Sequence, residues 1–338
     1  MDIAESLPMR FGCSLLGMEM AAMQRADGRI AVLAGGISDE REISLASGSN
    51  VMEALRAAGY GTVDLVDPGE EGFLTRLSDG GYDAAFVALH GRGGEDGMVQ
   101  DILEFLQIPY TGSNPVSCAV AMDKDLSKLL YDRAGLPIAP SVAFTREDMP
   151  EIDDILAAVG PQSFVKPVSN GSSYGISLVK EPDELAGAIE RAFGYGDKIM
   201  VEKRVVGVEV TCGVLGDGDT LRALPVVEIC MPQQCEFYDL DVKYVDPTDI
   251  HRIPARLPAD VYKRVQELSC AAHRALGCFG FSRTDMIVDA SGPVILETNS
   301  IPGMTPASLF PDEVAHADMT FADACAELID LALERAGR

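Results

Sequence analysis

Short apolar runs alternate with amphipathic segments over the first third of the chain. Three nearly continuous runs are typical of strands that are buried on both faces: Arg29–Ala34, Thr62–Val66 and Ala84–Leu89. Between the first two, the apolar positions of Glu42–Ala58 approximately follow a helical period, which ends at Gly59. Strands that alternate with helices predict a parallel sheet. We therefore expect an N-terminal α/β domain over residues 29–115.

The rest of the chain predicts two further domains, over residues 116–205 and 206–338. Helices are expected at Met122–Ala134, Glu181–Phe193 and Phe321–Arg335. Strands are expected at Ser163–Pro167, Gly175–Val179, Lys198–Glu202, Val208–Leu215, Asp285–Val288 and Val294–Leu296. Residues 231–253 are irregular and polar, and connections of this length are usually functional or disordered.

The composition narrows the classes of partner. A formal net charge of −26 argues against nucleic acid and anionic membranes. No apolar run reaches the ~20 residues that a membrane-spanning helix needs. The eight cysteines form no CxxC pair, which argues against a zinc site and for reduced, buried thiols in the cytoplasm. Because the chain is so acidic, any phosphate site must gather its few Lys and Arg residues.

Residues 1–28 precede the first predicted strand. The apolar part, Phe11–Met23, is interrupted by Glu19, and its flank lacks the dense positive charge of a secretion signal. We expect a flexible leader, and we expect that residues 1–27 can be removed without loss of activity.

The turn after the first strand, Gly35-Gly36, leads into an acidic tip that contains Asp39 and Glu40. Carboxylates there would repel phosphate, and Glu40 is better suited to hold an ammonium group. The competing interpretation is that both acids only stabilise a helix N-terminus, by about 0.3–1 kcal/mol. The residues alone leave both interpretations open.

A second candidate site is Lys166 on a predicted strand, followed by the Gly- and Ser-rich loop at 170–175. Backbone N–H groups and hydroxyls of such a loop can cover nucleotide phosphates. The competing interpretation is an ordinary hairpin turn.

A third candidate joins Arg283, Asp285, Glu297 and Asn299. The sequence predicts that Asp285 begins one strand and that Glu297 ends the next, so a hairpin brings them together. Their oxygen atoms suit Mg²⁺ that is bound together with phosphate. With Lys166, they form a candidate metal–triphosphate site.

Several long motifs carry a resemblance. The string GGISDEREISLASG at 35–48 resembles the opening motif of D-alanine–D-alanine ligases. Later motifs are similar to that family in order and spacing: ALHGRGGEDG at 88–97, YTGS at 110–113, MDKDLSK at 122–128, KPVSNGSSYGIS at 166–177, EFYDLDVKY at 236–244, GFSRTDM at 280–286 and LETNSIPGMTPASLFP at 296–311. The resemblance runs from about residue 29 to the C-terminus.

The resemblance implies a fold and a reaction. The fold is a three-domain ATP-grasp α/β architecture, α+β in its ATP-grasp part, with an N-terminal parallel sheet and ATP held between two antiparallel sheets. The reaction joins two D-alanine molecules into D-alanyl-D-alanine through a D-alanyl phosphate, for peptidoglycan precursor synthesis. ATP is the co-substrate, with two Mg²⁺ or Mn²⁺ ions per site. A cytoplasmic homodimer is expected.

The resemblance also implies the residues that act on the amino-acid substrates. Glu40 holds the ammonium of the first D-alanine, and His90 lies near it. Arg283 and the Gly303 backbone N–H form the oxyanion hole. Further positions close the mouth of the site or receive the carboxylate of the second substrate: Ser172, Tyr244, Ser308 and Leu309.

For the nucleotide, the resemblance implies that phosphates are contacted by Lys124, Lys166, Lys243, Arg283 and the loop residues Ser172 and Ser173. Adenine is held at Glu202, Lys203 and Val205, and the ribose hydroxyls at Glu209. The metal ligands are Asp285, Glu297 and Asn299.

Three alternatives remain at this point. A related ligase could make D-alanyl-D-lactate or another dipeptide, although Tyr244 favours D-alanyl-D-alanine. A non-catalytic nucleotide-binding protein would not need the full set of lysines and acids. A dehydrogenase would need a dinucleotide fingerprint, which the sequence lacks.

Overall fold

The first domain is built on a parallel sheet, as the sequence predicts. The computed structural model describes residues 25–169, 175–230 and 250–337. Strands β1 (Arg29–Leu33), β2 (Thr62–Val66) and β3 (Ala84–Val87) pair in the order β2-β1-β3, and both pairings are parallel. Helices α1 (Arg41–Ala57), α2 (Phe73–Asp79) and α3 (Met98–Phe105) alternate with these strands. β1 and β3 are almost wholly buried, which explains their continuous apolar sequence.

The second part is an antiparallel sheet covered by short helices. Its strands are β4 (Ser141–Thr145), β5 (Ser163–Pro167), β6 (Ser177–Val179) and β7 (Lys198–Lys203), in the order β4-β7-β5-β6. Helices α4 (Pro115–Met122) and α5 (Lys124–Arg133) precede the sheet, and α6 (Ile152–Val159) and α7 (Leu185–Ala192) pack against it.

The third part is a second, larger antiparallel sheet. It contains β8 (Val208–Gly216), β9 (Arg222–Ala223), β10 (Val227–Ile229), β11 (His251–Arg252), β12 (Gly280–Asp289) and β13 (Gly292–Asn299). The order is β11-β10-β8-β12-β13, and β9 pairs with β8. Helices α8 (Ala259–Ala275), α9 (Leu309–Ala315) and α10 (Phe321–Ala336) complete the described chain. The expected combination of one parallel and two antiparallel sheets is therefore confirmed.

The two ends of the chain share one hydrophobic core. Helix α10 packs against α1 and β3, so its buried side chains join the core of the first domain. Arg25, in the part of the expected leader that the structure describes, donates to Asp330 of α10 at 2.6 Å. The domain boundaries at residues 115 and 205 stay predictions.

Some elements differ from the sequence-based expectations. The helix expected at Met122–Ala134 is interrupted, because Asp123 is extended and caps α5 by accepting from the N–H groups of Asp125 and Leu126. Asp285 does not begin its strand, which starts at Gly280. The sequence did not predict the helices α2, α3, α4, α6, α8 and α9 or the strands β4, β9, β10 and β11. Cys230 and Cys270 are only half-buried, whereas the other described cysteines are buried as expected.

Gly48 of α1 lies close against the residue that follows β1. A Cβ atom built on Gly48 would lie 2.4 Å from the Cβ of the buried Ala34. We predict that Gly48→Ala lowers the free energy of unfolding. Overpacking costs about 1–3 kcal/mol, which outweighs the gain of about 1 kcal/mol from helix propensity.

The matched control is Gly187→Ala on the exposed face of α7. The nearest atom to a Cβ there is the flexible guanidinium end of Arg191, at 3.4 Å. This variant should be as stable as the parent or more stable, by up to about 1 kcal/mol. Urea denaturation measures both, and a Gly48→Ala protein at least as stable as the parent would contradict the packing argument.

Candidate active site between two antiparallel sheets

A cleft of about 540 Å³ separates the two antiparallel sheets. One wall comes from β5 and β7, through Phe164, Lys166 and Glu202. The opposite wall comes from the larger sheet and ends in the two acids Asp285 and Glu297. The segment that joins β7 to β8 closes one end. This position is typical of small-molecule sites, which are concave, but here ten of the twenty lining residues are charged.

The register of the larger sheet places the polar residues of the site in two rows of cross-strand neighbours. Asp285 of β12 lies opposite Glu297 of β13 on one side and opposite Thr211 of β8 on the other. In the neighbouring row on the same face, Arg283 lies between Asn299 and Gly213. The hairpin pairing expected from the sequence is present, and β8 extends it to a third strand.

Every acid in these rows contacts a donor. Arg283 donates to both oxygens of Asp285, with distances of 2.9 Å from Nε to Oδ1 and 2.9 Å from Nη2 to Oδ2. The Thr211 hydroxyl also donates to Asp285, and the Asn299 amide does so at 3.1 Å. The carboxylate of Glu297 lies 3.1 Å from Lys124 Nζ. Two carboxylates and an amide thus converge beside two cations.

On the opposite wall, the carboxylate of Glu202 is buried between two lysines. Lys166 Nζ donates to its Oε2 at 2.6 Å, and Lys128 Nζ forms an ion pair with its Oε1. Burial opposes ionisation of Glu202, but the two ammonium groups hold its pKa below the ordinary value. Burial likewise opposes the charge of Lys166, yet pairing with Glu202 raises the pKa of this lysine. For Lys128, burial outweighs the pairing and lowers the pKa.

The remaining nucleotide residues expected from the sequence divide into two groups. Lys203, Val205 and Glu209 line the cleft. Ser172, Ser173, Lys243 and Tyr244 lie outside the described residues.

Glu40 and His90 lie together at the edge of the first domain. Glu40 is the N-cap residue of α1, but its side chain makes no capping hydrogen bond. A Cβ atom on Gly91 would lie 2.7 Å from Glu40 Oε2, so the carboxylate sits against the turn that follows His90. The His90 ring is buried and contacts Ser47 Oγ at 2.9 Å and Glu95 Oε1 at 3.3 Å.

The segment around Gly303 is attached to the first domain. The N–H of Met304 donates to Ser47 Oγ at 3.3 Å, and the amide of Asn50 donates to the Met304 carbonyl at 2.7 Å. Ser47 therefore joins His90 to this segment. Ser308 is the N-cap residue of α9, and its hydroxyl accepts from the Thr305 N–H at 3.1 Å.

The sequence interpretation missed Lys128, Thr211 and Glu228. Lys128 is four residues after Lys124, and this spacing places both on one face of a helix, so the signal was present. Thr211 and Glu228 gave no local signal, because only the pairing of β8 with β12 and β10 brings them to the site.

The buried carboxylate of Glu228 pairs with the exposed guanidinium of Arg256 in the wall of the cleft. Its carboxylate accepts from Arg256 Nε at 2.9 Å and from the Arg256 backbone N–H at 3.0 Å. The side chain of Glu228 is 8% exposed. These hydrogen bonds from Arg256 lower the pKa of Glu228 to about 2.

Comparison with known sequences finds matches to two family models. Residues 130–330 match the family model described as the D-ala D-ala ligase C-terminus, and residues 68–113 match the D-ala D-ala ligase N-terminus. The D-alanine–D-alanine ligase of Syntrophobacter fumaroxidans is 46% identical over 90% of this chain and 97% of its own length. The D-alanine–D-alanine ligase of Desulforudis audaxviator is 42% identical over 91% of this chain and 99% of its own length.

Solved structures of similar shape carry the same description. A D-alanine–D-alanine ligase from Bacillus anthracis aligns with a TM-score of 0.80 and 32% identity over 92% of this chain and 99% of that one. The Bacillus anthracis ligase complexed with ATP aligns with a TM-score of 0.77 and 29% identity, over 92% of this chain and 98% of that one.

The Glu228–Arg256 pair generates a prediction about stability and pH. Since folding depresses the pKa of Glu228, its stabilisation is fully present above the ordinary value of 4.5 and is lost as the pH falls towards about 2. Glu228→Gln should lower the free energy of unfolding at pH 7 by about 1.5–3 kcal/mol, the range for hydrogen bonds to a charged group.

Urea denaturation at pH 7, with thermal denaturation down to pH 3, measures this difference. The difference between the two proteins should begin to narrow below pH 4.5 and should close only near pH 2. Glu267→Gln, on the exposed face of α8, should change little at any pH. A difference that stays constant from pH 7 to pH 3 would refute the assignment.

Proposed function

The chain belongs to the D-alanine–D-alanine ligase family, and from this premise we propose the reaction and the role of each site residue. The protein joins two D-alanine molecules into D-alanyl-D-alanine, for peptidoglycan precursor synthesis, and converts ATP to ADP and phosphate. One observation carries the assignment: the paired acids Asp285 and Glu297, each beside a cation, face a lysine-bearing wall across a single cleft.

The side chains in the two rows fit a divalent metal ion. Asp285, Glu297 and Asn299 can offer carboxylate and amide oxygens, the ligands that Mg²⁺ and Mn²⁺ prefer. The register that aligns these residues supports this use. We propose two ions, because two acids face a substrate that carries phosphate oxygens of its own. Bound there, the ions would neutralise charge on the transferring phosphoryl group.

In the first step, the carboxylate of one D-alanine attacks the γ-phosphate of ATP and forms a D-alanyl phosphate. Glu40 holds the ammonium group of this D-alanine, with His90 beside it, and so orients the carboxylate. Lys124, Lys166 and Arg283 spread the charge that develops on the transferring phosphoryl group. Lys243, outside the described residues, is proposed as a further phosphate contact.

In the second step, the amine of the other D-alanine attacks the acyl carbon, and phosphate leaves. Arg283 and the Gly303 N–H stabilise the tetrahedral oxyanion, an effect worth about 2.7–4 kcal/mol per donor in comparable sites. Ser308 and Leu309, at the start of α9, receive the carboxylate of this D-alanine. The tie from Met304 to Ser47 supports this arrangement, since it keeps Gly303 near the first substrate.

The other end of the cleft holds the nucleoside. Adenine lies at Glu202, Lys203 and Val205, and the Glu209 carboxylate accepts hydrogen bonds from the ribose hydroxyls. Ser172, Ser173 and Tyr244 are proposed to close the mouth of the site. Closure keeps water from the acyl phosphate, which would otherwise be hydrolysed.

The proposal also covers the oligomeric state and the cellular location of the protein. Among the described residues, no helix is both long and apolar enough to cross a membrane. We propose a homodimer, and the large apolar side chains that the first domain and the adjoining helix α4 expose support it: Phe105 is 88% exposed and Val116 72%. Sedimentation velocity measures this state directly. Free cysteines support a cytoplasmic location.

The proposed reaction predicts which products the protein releases. With ATP and Mg²⁺, the protein should release ADP and phosphate when D-alanine is present, and D-alanyl-D-alanine should form in equal amount. L-alanine should give little turnover. D-lactate, offered as second substrate, should give little D-alanyl-D-lactate. Chromatography of nucleotides and dipeptides measures all three.

Two results would contradict the proposal. AMP and pyrophosphate as products would exclude an acyl phosphate. D-alanyl-D-lactate in excess of the dipeptide would assign the protein to the ester-forming relatives.

A further inference from the structure

The pairing of Lys128 with Glu202 has no role in the reaction described above. Both side chains are almost fully buried, with 5% exposed for Lys128 and 4% for Glu202. Lys166, the second partner of Glu202, is 9% exposed. One buried carboxylate is therefore held between two buried ammonium groups, and this cluster carries a net positive charge.

The two lysines are held in different ways. Lys128 Nζ also donates to the carbonyl of Ala139 at 3.0 Å, which fixes it behind the cleft wall. Lys128 does not line the cleft, whereas Lys166 and Glu202 do. Lys166 therefore faces the cleft, whereas Lys128 is held behind its wall.

We propose that Lys128 is a positioning residue, the fixed counter-charge of Glu202 that allows Lys166 to be released to the phosphates of a bound nucleotide. The proposal rests on the nucleotide-binding role of Lys166 given above. A carboxylate that loses its only cation in a buried place is strongly destabilised. With Lys128 in place, Glu202 keeps one partner when Lys166 moves. Without Lys128, the nucleotide would have to take Lys166 from a carboxylate that has no other cation.

The first test removes the charge of Lys128. Lys128→Met should weaken the binding of ATP with Mg²⁺ by about tenfold or more, as expected when one member of a charged network is lost. Lys128→Gln tests the same point while it retains a donor for the Ala139 carbonyl. Lys128→Arg keeps the charge and should restore most of the affinity. Lys263→Met, on the exposed face of α8, is the control.

Isothermal titration calorimetry without D-alanine measures binding apart from ligation. Thermal denaturation identifies any variant that does not fold, and Lys128→Gln then replaces Lys128→Met. If the parent protein does not bind ATP, the proposed function fails. If the parent binds ATP and both charge-removing variants bind it equally well, only the role of Lys128 fails.

A double-mutant cycle separates positioning from general support of the structure. Glu202→Gln removes the anion that retains Lys166, so Lys128→Met should then change ATP affinity by no more than about threefold. The same large loss in both backgrounds would overturn the proposal, because it would show that Lys128 acts independently of Glu202.

Discussion

The antiparallel register of β8, β12 and β13 is the constraint on which the site depends. It aligns Thr211, Asp285 and Glu297 in one row and Gly213, Arg283 and Asn299 in the next. A shift of one residue would turn each of these side chains to the other face of the sheet. The same strands carry the apolar residues of the opposite face, such as Met286 and Ile295, into the core. Core packing thus fixes the register, and the register fixes the chemistry.

The second constraint on the cleft is the pairing of acids with cations. The chain carries a net charge of −26, yet its ligand is itself a polyanion. Lys124 neutralises Glu297, Arg283 neutralises Asp285, and Lys166 neutralises Glu202. In the proposed reaction, the acids hold the cations close to the cleft until phosphate and metal ions replace those pairs. Exposed acidic side chains elsewhere do not disturb this arrangement, because interactions between exposed charges are screened beyond about 10 Å in salt.

The sequence was informative where local patterns decide the structure. The parallel sheet followed from buried apolar strands, and the approach of Asp285 to Glu297 followed from a short turn between two strands. The true start of β12 at Gly280 was not predicted, since Ser282, Arg283 and Thr284 interrupt the apolar pattern. These polar groups find partners on other elements: Ser282 contacts His273, and Arg283 contacts Thr211 in addition to Asp285 of its own strand.

Contacts between distant parts of the chain could not be read from the sequence. The hydrogen bond from Met304 to Ser47 joins residues that are 257 positions apart. Helix α10 likewise packs into the core of the first domain. Lys128 was missed for the same reason. Its spacing from Lys124 predicts that both side chains lie on one face of a helix, but its partner Glu202 comes from a strand 74 residues later, and no local rule predicts that pairing.

Anomalous scattering from Mn²⁺ in crystals grown with ADP tests the central claim most directly. The account predicts anomalous density in contact with the carboxylates of Asp285 and Glu297 and with the amide oxygen of Asn299. Phosphate oxygens of the nucleotide should lie on the other side of the metal. Nucleotide bound in the cleft while the Mn²⁺ signal lies elsewhere, and Asp285 and Glu297 paired only with Arg283 and Lys124, would contradict it.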